Sequence, residues 1–194
     1  MKIGLYFGSF NPVHHGHLII ASYLQQNTDL DQVWMVVSPQ NPFKENHTLL
    51  NEYQRLALVR LAVEGEINIK AIDIEFRLPK PSYTIDTLTY LDEKYPQHEF
   101  AVIMGSDGLQ NLDKWKSSDV LIKRYPIYVY ERPGFQINTK LNINKLIVSK
   151  APMLEISASL LRRMIQEGKS IRYLVPDSVK EEIEANGYYK ISTK

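Results

Sequence analysis

The stretch Ile3-Gly4-Leu5-Tyr6-Phe7-Gly8-Ser9-Phe10-Asn11-Pro12-Val13-His14-His15-Gly16-His17 passes from an apolar run through a turn into a second apolar segment. Ile3 to Phe7 reads as a short buried strand that Gly8 to Pro12 brings to an end. After His17 come Leu18, Ile19, Ile20, Ala21, Tyr23 and Leu24, with no Gly or Pro before Asp29, so a helix is predicted there. A strand that turns into a helix opens a parallel β-α-β unit, and the remaining chain repeats the alternation.

Outward from this opening, Gln32 to Ser38 reads as a second buried strand and Pro39 to His47 as a polar loop. Asn51 caps a helix whose Leu56, Val59, Leu61 and Val63 recur at near-helical spacing. Ile67 to Ile74 is predicted to be a third strand. Ser82 opens a helix through Ile85, Leu88 and Leu91, and Glu99 to Met104 forms a strand that stops at Gly105-Ser106-Asp107. Pro126 to Tyr130 and Lys145 to Val148 add two strands, the first ended by Arg132-Pro133-Gly134, and Ser157 to Ile165 and Asp177 to Asn186 complete the chain as helices. The expected fold is α/β: a Rossmann-like, three-layer arrangement with a mainly parallel twisted sheet and helices on both faces. One domain over residues 1–194 is expected from the length. Such sheets bind ligands beyond the carboxyl ends of their strands, where the unusual residues of this chain fall.

The composition, 44% hydrophobic and 23% charged, matches ordinary globular usage. With 23 basic and 22 acidic residues the net charge is +1, so no global field draws the chain to nucleic acid or an anionic membrane. An anionic ligand has to be held by local geometry. The lack of cysteine removes disulfides, thiolate nucleophiles and cysteine-ligated zinc, and is compatible with a reducing compartment, so a cytoplasmic location is expected. No export signal is read at the start, and no apolar run approaches the roughly 20 residues of a membrane span.

The turn between the first strand and its helix carries the first chemical signal. Unpaired amides and the positive end of the dipole favour an anion at a helix start. His14 and His17 are three apart and share a face of a helical turn, while Gly16 would let a ligand approach the backbone. Together they suit phosphate oxygens. Zinc ranks well below phosphate, because cysteine and an HExxH pattern are both missing, so no metal ligands are assigned. The plain alternative is two ordinary surface histidines. With five histidines and nine glycines in 194 residues, HxGH is expected by chance only about 0.006 times.

The second signal is Ile156-Ser157-Ala158-Ser159-Leu160-Leu161-Arg162, where Ser157 is a natural N-cap. Ser159 and nearby amides would then point ahead of the helix, and Arg162 would add a donor fork suited to phosphate. Alone this pattern is common in ordinary helices; its weight comes from its pairing with HxGH.

The two motifs resemble the signatures of the HxGH nucleotidyltransferase superfamily. Pro39 to Lys44, Ser82 to Leu88 (SYTIDTL), Gly105-Ser106-Asp107, Leu112-Asp113-Lys114-Trp115 and Glu131-Arg132-Pro133-Gly134 resemble its nicotinate-nucleotide adenylyltransferase branch, over nearly the whole length. Asn11 stands where many members carry Asp, Ala158 with Ser159 replaces a commoner Ser-Thr pair, and Lys116 follows Trp115 where an aromatic is common. The resemblance implies direct in-line attack by the phosphate of nicotinate mononucleotide on the α-phosphorus of ATP, giving the dinucleotide and pyrophosphate. His14, His17 and Arg162 would be catalytic, with His17 nearest the α-phosphate. Gly8, Ser9, Phe10, Gly16, Gly105, Asp107, Arg132, Ile156, Ser157 and Ser159 would bind ATP, Asp107 through a ribose hydroxyl and Arg132 on the adenine side. Lys44, Tyr83, Thr84 and Trp115 would bind the mononucleotide, Trp115 by stacking on the pyridine ring, although a single Trp is often simply core. Mg²⁺ is implied as an ion carried on substrate phosphates, with ATP as co-substrate. The implied partners are these two small molecules; a homo-oligomer is left open.

Overall fold

A computed structural model describes residues 1–39, 49–137, 140–152 and 154–190. The elements run β1 (Lys2–Gly8), α1 (His15–Asn27), β2 (Gln32–Val37), α2 (Glu52–Ala62), β3 (Ile69–Ile72), α3 (Thr84–Lys94), β4 (Glu99–Gly105), α4 (Ser106–Leu109), α5 (Ser118–Arg124), β5 (Ile127–Tyr130), β6 (Leu146–Ser149), α6 (Ala158–Gln166) and α7 (Asp177–Asn186). Short 3-10 turns occupy Ile74–Arg77 and Leu112–Lys114.

The strands form one six-stranded sheet in the order β3-β2-β1-β4-β5-β6, and every neighbouring pair is parallel. Both faces are covered, so the strands read as near-continuous apolar runs. Their alternation sorts the side chains into two cores. Ile3 and Leu5 of β1, Phe100, Val102 and Met104 of β4, and Ile127 and Val129 of β5 meet Ile85, Leu88 and Leu91 of α3 and Leu121 and Ile122 of α5 on one face. Tyr6, Ala101, Ile103, Tyr128 and Tyr130 face the other way, toward Ile20, Ala21 and Leu24 of α1, Leu56 and Val59 of α2, Leu161 of α6 and Val179 and Ile183 of α7. This is the expected Rossmann-like α/β layout. No helix among the described residues is long and apolar enough to cross a membrane.

Three details depart from the sequence reading. The third strand is shorter, Ile69–Ile72, because the chain then curls into a 3-10 turn that buries the Glu75 carboxylate against the hydroxyls of Ser82 and Thr87. The helix expected from Ser82 begins at Thr84. Helices α4 and α5, and the 3-10 turn between them, had no counterpart in the reading. In α5 the run Val120-Leu121-Ile122 buries its last two residues and exposes Val120, which is too little sequence to display a helical period.

The sheet order reverses direction between β1 and β4. That is the switch point where open parallel sheets leave a crevice beyond their strand ends, and the loops after β1 and β4 flank it here.

Candidate active site

A cleft of about 870 Å³ opens at this point. Its walls include His14, His17, Arg162, Gly8, Ser9, Phe10, Gly16, Gly105, Asp107, Arg132, Ile156, Ser157, Ser159, Tyr83, Thr84 and Trp115. These are the sequence-derived site residues, brought together from both ends of the chain. Lys44 lies outside the described residues.

The first wall follows from the turn after β1. His14 is the N-cap of α1 and His17 its third residue, and their rings stack with centroids 3.7 Å apart and planes at 27°. The His14 backbone N–H donates to His17 Nδ1 at 3.3 Å. With Nδ1 accepting, the neutral His17 ring carries its proton on Nε2, so that nitrogen is its donor. His14 is 5% exposed, and its Nδ1 is buried without a protein partner. Burial, reinforced by the positive charges of His15 and Arg132, lowers its pKa to about 4, so the ring is neutral near pH 7. Gly16 has a structural reason that the sequence did not display: a Cβ there would stand 3.0 Å from His14 Nδ1, so the imidazole fills the space that a side chain would need.

Between β1 and His14, Phe10 has φ 44°, in the left-handed region that non-glycine residues avoid. Two arginines from different helices hold the chain on either side of it. Arg55 Nη1 of α2 donates to the Ser9 carbonyl at 2.5 Å, and Arg162 Nη1 of α6 donates to the Asn11 carbonyl at 2.7 Å. The Phe10 ring is thereby packed edge-on to His17, 5.0 Å between centroids, and to Tyr6 at 5.8 Å. The strain persists because the surroundings fix the loop at several points.

The second motif folds as its residues suggest. Ser157 Oγ accepts the Leu160 N–H at 3.1 Å, which makes it the N-cap of α6. Arg162 Nη2 donates to Ser159 Oγ at 3.2 Å. Two of the five guanidinium N–H groups are thus engaged within the protein, and the fork is oriented before a ligand arrives.

On the β4–β5 side, Arg132 Nη1 pairs with Asp107 Oδ2 at 2.8 Å, and the Arg132 backbone N–H donates to Ser106 Oγ at 2.9 Å. This pair closes over Gly105, where a Cβ would stand 2.7 Å from Arg132 Cδ. Below it the Tyr6 and Tyr130 hydroxyls meet at 3.3 Å, and burial with this mutual contact pushes the Tyr6 hydroxyl well above its ordinary pKa.

Two buried charged residues outside the sequence reading support this site, Glu75 in the cleft wall and Arg55 behind it. Glu75 is 2% exposed, lines the cleft, and accepts from Ser82 Oγ at 2.8 Å and Thr87 Oγ1 at 3.0 Å. Burial raises its pKa, opposed by hydrogen bonds from Ser38, Ser82 and Thr87. The bonds to Ser82 and Thr87 bracket Tyr83 and Thr84 and fix the start of α3. Arg55 is fully buried and serves four backbone carbonyls, those of Ser9, Ser38, Pro39 and Leu50. On a helix it reads as a solvated face, and nothing local in the sequence announces its burial.

Chemically the cleft offers neutral imidazoles, an oriented guanidinium, helix N-termini and hydroxyls: donors for phosphate oxygens, with an aromatic wall at Trp115. Among the described residues, no group of three or more His, Asp or Glu side chains could hold a metal ion.

A family model described as cytidylyltransferase-like matches residues 5–164. A Cytophaga hutchinsonii protein named "Probable nicotinate-nucleotide adenylyltransferase" is 51% identical over 190 residues, covering 97% of this chain and 98% of its own. A Flavobacterium johnsoniae protein of the same name is 51% identical over 192 residues, covering 98% and 100%. Among solved structures, Plasmodium falciparum nicotinic acid mononucleotide adenylyltransferase complexed with NaAD matches 97% of both chains with a TM-score of 0.82 at 20% identity, a likeness of fold.

Proposed function

The chain belongs to the cytidylyltransferase-like family, on its nicotinate-nucleotide adenylyltransferase branch, and from that premise we propose how the cleft carries out the reaction. The reaction is adenylyl transfer in NAD biosynthesis: ATP and nicotinate mononucleotide give nicotinate adenine dinucleotide and pyrophosphate. The observation that carries the site assignment is the meeting of residues 151 positions apart, where Arg162 holds the carbonyl of Asn11 in the loop leading to His14 and His17.

A phosphate monoester is already anionic near neutral pH and needs no general base. Its oxygen attacks the α-phosphorus of ATP as the bond to the β-phosphate oxygen breaks, and pyrophosphate leaves with the electron pair. No covalent enzyme intermediate is needed. The protein has to align two anions that repel one another and supply donors where charge develops. Neutral His14 and His17 each provide one N–H, His17 at the α-phosphate. Ser157, Ser159 and the remaining Arg162 donors serve the β- and γ-phosphates. The paired Asp107 and Arg132 flank the adenosine, and Tyr83, Thr84 and Trp115 receive the nicotinate nucleotide. A Mg²⁺ ion carried by the substrate would neutralise part of the triphosphate charge, and the described residues would not need to supply its ligands. The reaction is placed in the cytoplasm, in keeping with a sequence that contains no cysteine.

The test is His17→Ala. Loss of one transition-state donor is expected to lower kcat for pyrophosphate release by about two to three orders of magnitude, with the far-UV circular dichroism unchanged. Turnover near that of the wild type would overturn the assignment.

A further inference from the structure

Lys116 lines the cleft beside Trp115 and Tyr83. Its ammonium lies 4.9 Å from the centroid of the Tyr83 ring and donates to both carboxylate oxygens of Asp86, at 2.9 and 2.7 Å. Asp86 sits in the first turn of α3 and is not part of the cleft wall. The pair therefore presents its positive end to the cleft and keeps its negative end behind. The lysine side chain is 47% exposed, and at most two of its three N–H bonds are engaged by the carboxylate.

A pyridine ring bearing a carboxylate and one bearing a carboxamide are nearly isosteric and stack alike. They differ by one negative charge and by the amide's own N–H donors. Stacking on Trp115 therefore cannot separate them, and a polar difference is needed. We propose that Lys116, held in place by Asp86 and the Tyr83 ring, is a specificity-determining residue that favours the mononucleotide carrying a carboxylate over the one carrying a carboxamide. This rests on the reading that the cleft wall formed by Tyr83, Thr84 and Trp115 receives the pyridine ring. The ammonium forms a charge-assisted hydrogen bond with the carboxylate, whereas the carboxamide offers only a neutral oxygen in its place. Partial exposure limits the discrimination to about three- to tenfold.

The experiment compares kcat/KM for nicotinate mononucleotide and nicotinamide mononucleotide at saturating ATP, in wild type, Lys116→Met, Lys116→Arg and Asp86→Asn. Lys116→Met is expected to lower the acid-to-amide ratio by about three- to tenfold, mainly through the KM of the acid, while Lys116→Arg keeps most of it. Asp86→Asn weakens the ion pair that holds the ammonium in place and is expected to lower the ratio toward that of Lys116→Met. Added salt lowers the ratio in wild type and leaves it unchanged in Lys116→Met. A parallel loss for both mononucleotides would assign Lys116 to packing against Tyr83 and overturn the proposal, as would an unmoved ratio. A wild-type protein that turns over neither mononucleotide would instead overturn the reading of the cleft itself.

Discussion

His14 is a buried imidazole whose surroundings oppose its protonation. Its burial removes water from the ring, and the positive charges of His15 and Arg132 oppose protonation further, which places its pKa at about 4 against an ordinary 6.5. Between these values the unfolded chain binds a proton that the folded chain refuses. The contribution of His14 to stability is therefore complete above about pH 6.5 and is lost as the pH falls toward 4, at a cost of about 3 kcal/mol. Urea unfolding of the wild type near neutral pH and near pH 4 should show that acid-dependent loss, and His14→Asn should lose correspondingly less. Equal losses in the two proteins would show that the ring is not protected from protons. Phosphate oxygens beside the ring would act in the opposite direction and favour the charged form.

At the scale of elements, the junctions between strands and helices were the legible part. HxGH and Ser157 to Arg162 stand out because residue identity and position coincide: donors and a cap occur where a helix begins. Arg55 and Glu75 were not legible. Each is a charged residue whose burial depends on groups that converge only in the folded chain, four carbonyls around the one and hydroxyls from Ser82 and Thr87 around the other. Helix α5 escaped because seven residues carry too little pattern, and the Asp107–Arg132 pair because its partners come from different strand ends. Arg55 ties the loops after β1 and β2 to the start of α2, so Arg55→Leu would strand those four carbonyl oxygens. The expected cost is about 3–5 kcal/mol, a fall in Tm of about 10 °C, read by thermal denaturation. A fall within a degree or two of wild type would show that water replaces the guanidinium at no cost.

For the whole molecule, the sheet is shared by two cores, one on each face, and the cleft lies over the strands that both cores support. We expect residues 1–194 to unfold as one cooperative unit. Trp34 in β2 and Trp115 at the cleft report from separate places, so tryptophan fluorescence and far-UV circular dichroism should give coincident urea transitions. Separated midpoints would mean that the layers open independently. The bond between Arg162 and the Asn11 carbonyl carries a further meaning for a chain made from its amino end. While the ribosome is still adding residues beyond β6, both imidazoles have been synthesised but the clamp that fixes their loop has not. A nascent or prematurely terminated polypeptide would thus carry both histidines on a loop that Arg162 does not yet hold, and the proposed triphosphate grip would be complete only once the late helix docks.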